Sequence, residues 1–276
     1  MKKLNIIIPI LNEEKRLESG VHNALRYLID SKIPHIVSLV DNGSLDSTPQ
    51  IARTLCAQYE NLEYLRVEEK GVGLALRTAI AHNAARGQPC AFIGYMDIDL
   101  STDLRHLQEV YERLCGGAEI VVGSRLLAPS QVIGRSLKRE VLSRALNLLL
   151  KLTLKARFSD AMCGFKFYRA TTAQNLKELC SEDKSWFYCA QMLLIAQYQG
   201  IQIEEIPVVW RDEDTDSKVR ILRLARIYLA EICRLFFLLR LGAKGKHKRG
   251  RSVGDTHKRG GQSDLLDGYK QKEGAR

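Results

Sequence analysis

Short apolar runs and longer amphipathic stretches alternate along the first 125 residues. The runs LNIIIPI (4–10), HIVSLVD (35–41), LEYLRV (62–67), CAFIGYM (90–96) and AEIVVGS (118–124) read as strands buried on both faces. Between them, residues 13–29, 46–59, 73–85 and 102–114 space their apolar positions as helices do. Strand–helix alternation at this spacing predicts an α/β domain with a mainly parallel central sheet. Further on, the pattern predicts a Leu-rich helix studded with Lys and Arg over 135–156 and a helix over 184–200. A strand over 201–210 and a second Leu/Arg helix over 218–241 follow, with no internal repeat.

Ligands gather beyond the carboxyl ends of the strands in such sheets. Here the five ends run into PILNEE, DNGSLDST, EEKGVG, DIDLS and GSR, and five adjacent ends would make one site. In DIDLS, Asp97 and Asp99 stand two apart. On an extended chain both would project to one side, a like-charge pair needing a metal ion, an arginine or bulk water between them. Two hard oxygens suit Mg²⁺ or Mn²⁺, with phosphate oxygens and water completing the shell. Asp41 and Asn42 can offer an acceptor and a donor to a nucleobase edge, while Asp46 or Ser47 is a helix N-cap. GVGLALR carries Leu76 where a dinucleotide fingerprint needs its third glycine. Gly71 and Gly73, flanked by Lys70 and Arg77, suit either a phosphate at a helix start or a plain tight turn. No HExxH pattern, Ser/His/Asp set or nucleophile elbow competes for the chemistry.

Composition narrows the class. The 276 residues are 45% hydrophobic, enough for a sizeable core. Seven scattered cysteines without a CxxC pair point to reduced thiols in a cytoplasmic setting, and no leader pattern precedes the first strand. Of the net charge of +10, the segment 243–276 carries +6 and is too poor in apolar residues to order itself. No stretch is apolar enough to span a bilayer, since five arginines interrupt the best candidate, VRILRLARIYLAEICRLFFLLRLG. On a helical wheel Ile221, Leu224, Tyr228, Ile232, Leu235, Phe236 and Leu239 share one side. Arg220, Arg223, Arg226, Arg234 and Arg240 take the other. That is an interfacial amphipathic helix or one packed on the domain. Together with the helix at 136–155 and the basic tail, it favours peripheral docking on the cytoplasmic face of an anionic membrane over nucleic-acid binding.

The ordered segments IPILNEE, VDNGSLDST, MDIDLSTDL, VVGSRL, DAMCGFKFYR and GIQIEEIPVVWRDEDTDSKV resemble family 2 glycosyltransferases over residues 4 to 220. The branch they are most similar to transfers sugars to dolichyl or polyprenyl phosphate. The resemblance implies a GT-A fold, a UDP- or GDP-linked hexose donor, a divalent metal and an inverting displacement. Carried onto this chain, it places Pro9, Asn12, Glu13, Asp41 and Asn42 around the nucleoside, and Lys70 and Gly71 beside the donor. Asp97 and Asp99 become the metal and diphosphate pair, and Lys218 sits near the donor phosphates. Ser124 and Arg125 of GSR, with Arg139 and Ser143, would grip an acceptor phosphate, and Asp160 would lie beside the reaction centre with Asp99 and Arg125. Three positions depart from the pattern. Cys189 and Gln191 replace an acidic pair, and Ser101 replaces a metal-contacting glutamine. A phosphate acceptor is already ionised near pH 7 and needs no strong base, so the missing carboxylates favour such an acceptor.

The expected organisation is a catalytic domain over 1–217, a membrane-interfacial helix over 218–242 and a basic tail over 243–276. The expected reaction moves a hexose from a nucleotide sugar to a polyprenyl phosphate. A glycan, glycolipid or soluble acceptor on the same scaffold is the second reading, and a catalytically degenerate membrane-binding relative the third.

Overall fold

The computed structural model describes residues 2–212 and 221–241. All five early strands and the four helices between them form where the pattern places them. They are β1 (Leu4–Ile10), α1 (Leu17–Asp30), β2 (His35–Asp41), α2 (Thr48–Gln58) and β3 (Leu62–Arg66), then α3 (Val72–Ala84), β4 (Phe92–Met96), α4 (His106–Cys115) and β5 (Ile120–Ser124). The helix α1 shows why: Leu17, Val21, Ala24, Leu25 and Leu28 recur along one face and are all buried. Residues 13–16 form a turn ahead of it rather than its first turn.

The second half adds β6 (Gln131–Ile133), α5 (Leu137–Leu154), β7 (Phe165–Arg169), α6 (Ala170–Leu179) and α7 (Phe187–Tyr198). The chain continues through β8 (Ile203–Pro207), β9 (Val209–Arg211) and α8 (Ile221–Phe236), which ends in a π-helical turn at Phe237–Leu241. The single strand expected over 201–210 is therefore two, and β6, β7 and α6 have no counterpart among the expected elements.

The main sheet runs β3-β2-β1-β4-β7-β5-β8. Every pairing in it is parallel except those of β7, which lies antiparallel between β4 and β5. This corrects the expectation of five adjacent parallel ends, because β4 and β5 do not touch. The insertion still serves the site. An antiparallel strand begins where its neighbours end, so Met96 at the end of β4 pairs with Phe165 at the start of β7. The loop before β7, from Ser159 to Gly164, is thereby delivered to the edge where β1, β2, β4 and β5 finish.

A small second sheet pairs β6 with β9 in parallel. Its strand β9 also reaches the loop after β4: Trp210 bridges Thr102, and the Arg211 amide donates to the Ser101 carbonyl at 2.8 Å. The core beneath all this is apolar, built on Leu4, Ile6, Ile8, Leu39, Phe92 and Phe167.

The described residues fall into two compact units. One holds everything up to Asn147 and from Phe158 to Asp212; the other holds Leu148–Arg157 and residues 221–241. In α8, Tyr228, Ile232, Leu235 and Leu239 are buried, while Arg226 is exposed. No helix among the described residues is long and apolar enough to cross a membrane.

Candidate active site

The strand β4 ends at Met96, and the chain turns at once. The Leu100 amide donates to the Asp97 carbonyl at 3.2 Å, and Leu100 adopts a left-handed φ of 53°. The carboxylates of Asp97 and Asp99 therefore meet in a turn rather than on one side of an extended strand. Asp99 Oδ1 accepts the Ser101 amide at 3.0 Å, which fixes the turn's second half. Asp97 lies against the loop before β7. A Cβ on Gly164 would stand 2.1 Å from Asp97 Oδ2, so only glycine leaves room for the carboxylate. Burial and the neighbouring Asp99 charge push the Asp97 carboxyl up to about 7, against the pull of Lys166 and Arg125. A protein tolerates such a like-charge pair where a cation completes it. The donor set is two hard oxygens, so Mg²⁺ or Mn²⁺ fits. Among the described residues no group of three or more His, Cys, Asp or Glu converges. The remaining positions of a hard cation's shell would fall to phosphate oxygens and water.

Lys166, on β7, is a feature the pattern does not reveal, because no element is expected at FKFYR. It is fully buried. Its Nζ donates to the Tyr95 hydroxyl at 3.2 Å and to the Cys163 carbonyl, and its charge reaches Asp97 and Asp160.

At the ends of β1 and β2, Asn12 follows β1 with a left-handed φ of 56°, a conformation asparagine tolerates. Its amide donates to Ser44 Oγ and its Oδ1 accepts the Leu45 amide, both at 2.9 Å, so two strand-end loops are stitched together. Glu13 donates its amide to Thr48 Oγ1 at 2.7 Å and pairs with Arg16. Its charge is felt at Asp97. Pro9 lies at the end of β1, in register with Val40.

The Asp41 carboxylate is not free for a base edge. It accepts the Ser44 amide at 2.8 Å, the Tyr64 hydroxyl at 2.7 Å and Arg66 Nη1 at 3.0 Å, and so braces the pocket wall. Asn42 is less fully engaged. Its Nδ2 donates to the Ile10 carbonyl at 3.2 Å, while its buried Oδ1 has no partner among the described residues.

Gly71 and Gly73 are closely packed against residues 183–185. The Gly73 amide donates to the Lys184 carbonyl at 3.0 Å, and a Cβ there would lie 2.3 Å from the Asp183 carbonyl. Arg77 turns to Glu182 and stacks on Tyr188, and Lys70 stands exposed. Lys218 lies outside the described residues.

A second group gathers around Asp160 in the loop before β7. This wholly buried carboxylate takes Arg125 Nε at 2.8 Å and Nη2 at 3.0 Å, plus the Met162 amide at 3.0 Å. Burial alone would raise it, but the Arg125 guanidinium, with Lys166 behind, holds it at about 2. So saturated an acid positions Arg125 and takes no proton. Ser124 is likewise occupied, bonded to Ser159 at 2.5 Å and accepting the Leu126 amide at 3.2 Å. Arg139 pairs with Asp212. Ser143, one turn further along α5, is buried, and its hydroxyl has no partner among the described residues.

Cys189 and Gln191 are buried inside α7, every residue of which from Phe187 to Ala196 is buried. Burial pushes the Cys189 thiol up to about 11, and the Gln191 Oε1 accepts Ser181 Oγ at 2.9 Å. Neither offers a base.

Residues 5–176 match the sequence profile described as glycosyl transferase family 2. Glycosyltransferase AglD of Haloferax volcanii is 34% identical over 226 residues, covering 80% of this chain; the chain spans only 35% of AglD's length. A dolichyl-phosphate beta-glucosyltransferase of Dictyostelium discoideum is 26% identical over 227 residues, covering 76% of this chain and 67% of its own. Among solved structures, glucosyl-3-phosphoglycerate synthase from Mycobacterium tuberculosis with UDP superposes at a TM-score of 0.62. It is 17% identical, with 85% of this chain and 80% of that one covered. The same synthase with Mn²⁺, UDP-glucose and phosphoglyceric acid gives 0.59 at 15% identity, over 84% and 80%. At such identity these structures show a shared GT-A-like fold.

Proposed function

Because the chain belongs to glycosyl transferase family 2, we propose that it transfers a hexose from a UDP- or GDP-sugar to a polyprenyl phosphate in a metal-dependent, inverting reaction. One observation carries the reading. A carboxylate pair suited to a hard cation and a buried Arg125–Asp160 pair share one electrostatic neighbourhood at the carboxyl edge of the sheet. Relatives named as dolichyl-phosphate beta-glucosyltransferases support the acceptor, and a fold neighbour that binds UDP-glucose with Mn²⁺ supports the donor and metal.

In this account Asn42 Oδ1 recognises an N–H of the base, on a platform fixed by Asn12 and Asp41. Asp97 and Asp99 hold the cation, with Gly164 leaving the space for it. A divalent ion there supplies charge stabilisation to the departing diphosphate. Arg125, aimed by Asp160, and Arg139 with Ser143 orient the acceptor phosphate, whose oxygen attacks the anomeric carbon as the bond from that carbon to the nucleotide breaks. No proton has to leave the acceptor, so no general base is required. Catalysis is then positioning plus leaving-group stabilisation.

The exposed face of α5 supports a membrane position. Leu137, Val141, Leu148 and Leu152 are 79%, 57%, 56% and 69% exposed and fall within one sector of the helix, with Arg144, Lys151 and Lys155 alongside. An exposed apolar stripe edged by cations suits an anionic bilayer surface, where a lipid-borne acceptor would be met. Reduced cysteines fit the cytoplasmic face.

A screen of nucleotide sugars with Mn²⁺ or Mg²⁺ tests this, comparing a short polyprenyl phosphate with water-soluble phosphates and glycans. Transfer confined to the soluble acceptors would sink the lipid assignment.

A further inference from the structure

Trp210 of β9 carries three guanidinium groups around one indole. The Cζ atoms of Arg125, Arg135 and Arg139 lie 5.5, 5.7 and 5.9 Å from its ring centroid. Arg125 and Arg139 belong to the acceptor grip proposed above, but Arg135 has no place in that scheme. It lies just beyond β6, and the pairing of β6 with β9 brings it to the indole: Val132 is in register with Trp210 and Ile133 with Arg211. Gly134 permits the approach, with a φ of 79° and the Asp212 carbonyl 2.9 Å from where a Cβ would be.

Such a cluster is costly to hold. The side chains of Arg125 and Arg135 are 8% and 7% exposed, so their charges are largely removed from water. Arg135 feels that burial and the Arg125 charge, both of which lower its affinity for its proton. Cation–π attraction to one ring repays only part of this, because three cations around it repel one another. The partners do not balance the charge either. Asp160 is matched to Arg125, Asp212 to Arg139, and Glu140 is shared between Arg135 and Arg144. Among the described residues, four arginines thus divide three carboxylates. Two buried polar atoms remain open as well, Arg135 Nε and Ser143 Oγ, with no partner among the described residues.

We infer that Arg135 is a third arm of the acceptor-phosphate site, set there to select a phosphate monoester, which carries a second negative charge, over a phosphodiester. This rests on the acceptor reading proposed above and goes beyond it by naming the charge state recognised. Arg139, at 38% exposure, is the open side through which a head group enters; Arg125 and Arg135 form the floor. The site also stands next to the reacting centre, since β9 pairs with the backbone of Ser101, two residues after Asp99.

The test compares wild type with Arg135→Gln, using citronellyl phosphate as acceptor and citronellyl methyl phosphate as a competitive inhibitor of the same transfer. The substitution is expected to raise the KM for the monoester about tenfold or more, the scale of one lost charge-assisted hydrogen bond. The inhibition constant of the diester should move less than about twofold on that same scale. Equal shifts for both probes, or none for either, would overturn the charge-selecting role. Thermal melting with and without UDP reads whether the variant folds. If it does not, Arg135→Lys keeps the charge and should keep the wild-type monoester-to-diester preference, and loss of that preference would overturn the charge-selecting role. If wild type transfers sugar to no phosphate at all, the acceptor reading falls first and this inference with it. Transfer by wild type with an unaltered monoester-to-diester ratio in the variant sinks this inference alone.

Discussion

Gly164→Ala separates the site from the fold more sharply than any carboxylate substitution. Its φ is not left-handed, so the change brings no backbone strain, and removing a glycine stiffens the unfolded chain by about 0.4–1 kcal/mol in favour of folding. The cost is local. The added Cβ would stand 2.1 Å from Asp97 Oδ2 and 2.8 Å from its Cγ, where ordinary contact begins at 3.4 Å. The carboxylate must therefore retreat by about 1.3 Å, the difference between 3.4 and 2.1 Å. A displacement near 1 Å in a reacting constellation costs about 10²-fold. Crowding of this kind costs about 1–3 kcal/mol, offset in part by the stiffer unfolded chain. The variant should melt within a few degrees of wild type yet lose about two decades of kcat/KM, and need more Mn²⁺ to reach half-maximal rate. Steady-state transfer assays over a Mn²⁺ titration, beside calorimetry, measure both. Activity within twofold of wild type at the same Mn²⁺ requirement would refute the placement of Asp97 in the metal site.

Two further outcomes follow from the hydrogen-bond inventory. Asn42→Ala removes the open Oδ1 and should weaken UDP binding about tenfold by calorimetric titration, the scale of one buried hydrogen bond, with no loss of Mn²⁺ stimulation. Asp160 sits below its ordinary value of 3.8, at about 2, so its stabilisation is complete above pH 4 and disappears as pH falls through 2. That linkage is worth about 2 kcal/mol. In urea unfolding at pH 7 Asp160→Asn should be destabilised by about 3 kcal/mol, because Arg125 is left buried and uncompensated, and the gap should narrow towards pH 2.

Much of this was legible in the sequence, and the reasons differ by element. The first five strands and four helices follow from periodicity alone, because a parallel sheet buries its strands on both faces and its helices on one. The strand β7 escaped because FKFYR alternates no more clearly than a loop, and its buried Lys166 argues against a core strand on composition. Its antiparallel insertion is a long-range pairing no local pattern records. The expectation for Asp97 and Asp99 rested on strand geometry, whereas the structure sets the two residues in a turn, with Asp97 packed against Gly164. Asp41 was assigned to the ligand because it stands at a strand end, whereas Tyr64 and Arg66 on the neighbouring strand claim it. The three-arginine cluster could not be read in advance, since Arg125, Arg135 and Arg139 meet only through Trp210, more than 70 positions later in the chain.

The central claim is that two carboxylates and a cation release a nucleotide while an arginine-held phosphate takes the sugar. Transfer of radiolabelled hexose from its UDP or GDP donor to a short polyprenyl phosphate, with the organic-phase product counted, tests it directly. Wild type should form a labelled lipid only with Mn²⁺ or Mg²⁺ present, and Asp99→Ala should lower the rate by at least about 10²-fold. Labelled lipid formed at full rate in excess chelator, or by Asp99→Ala, would contradict the account.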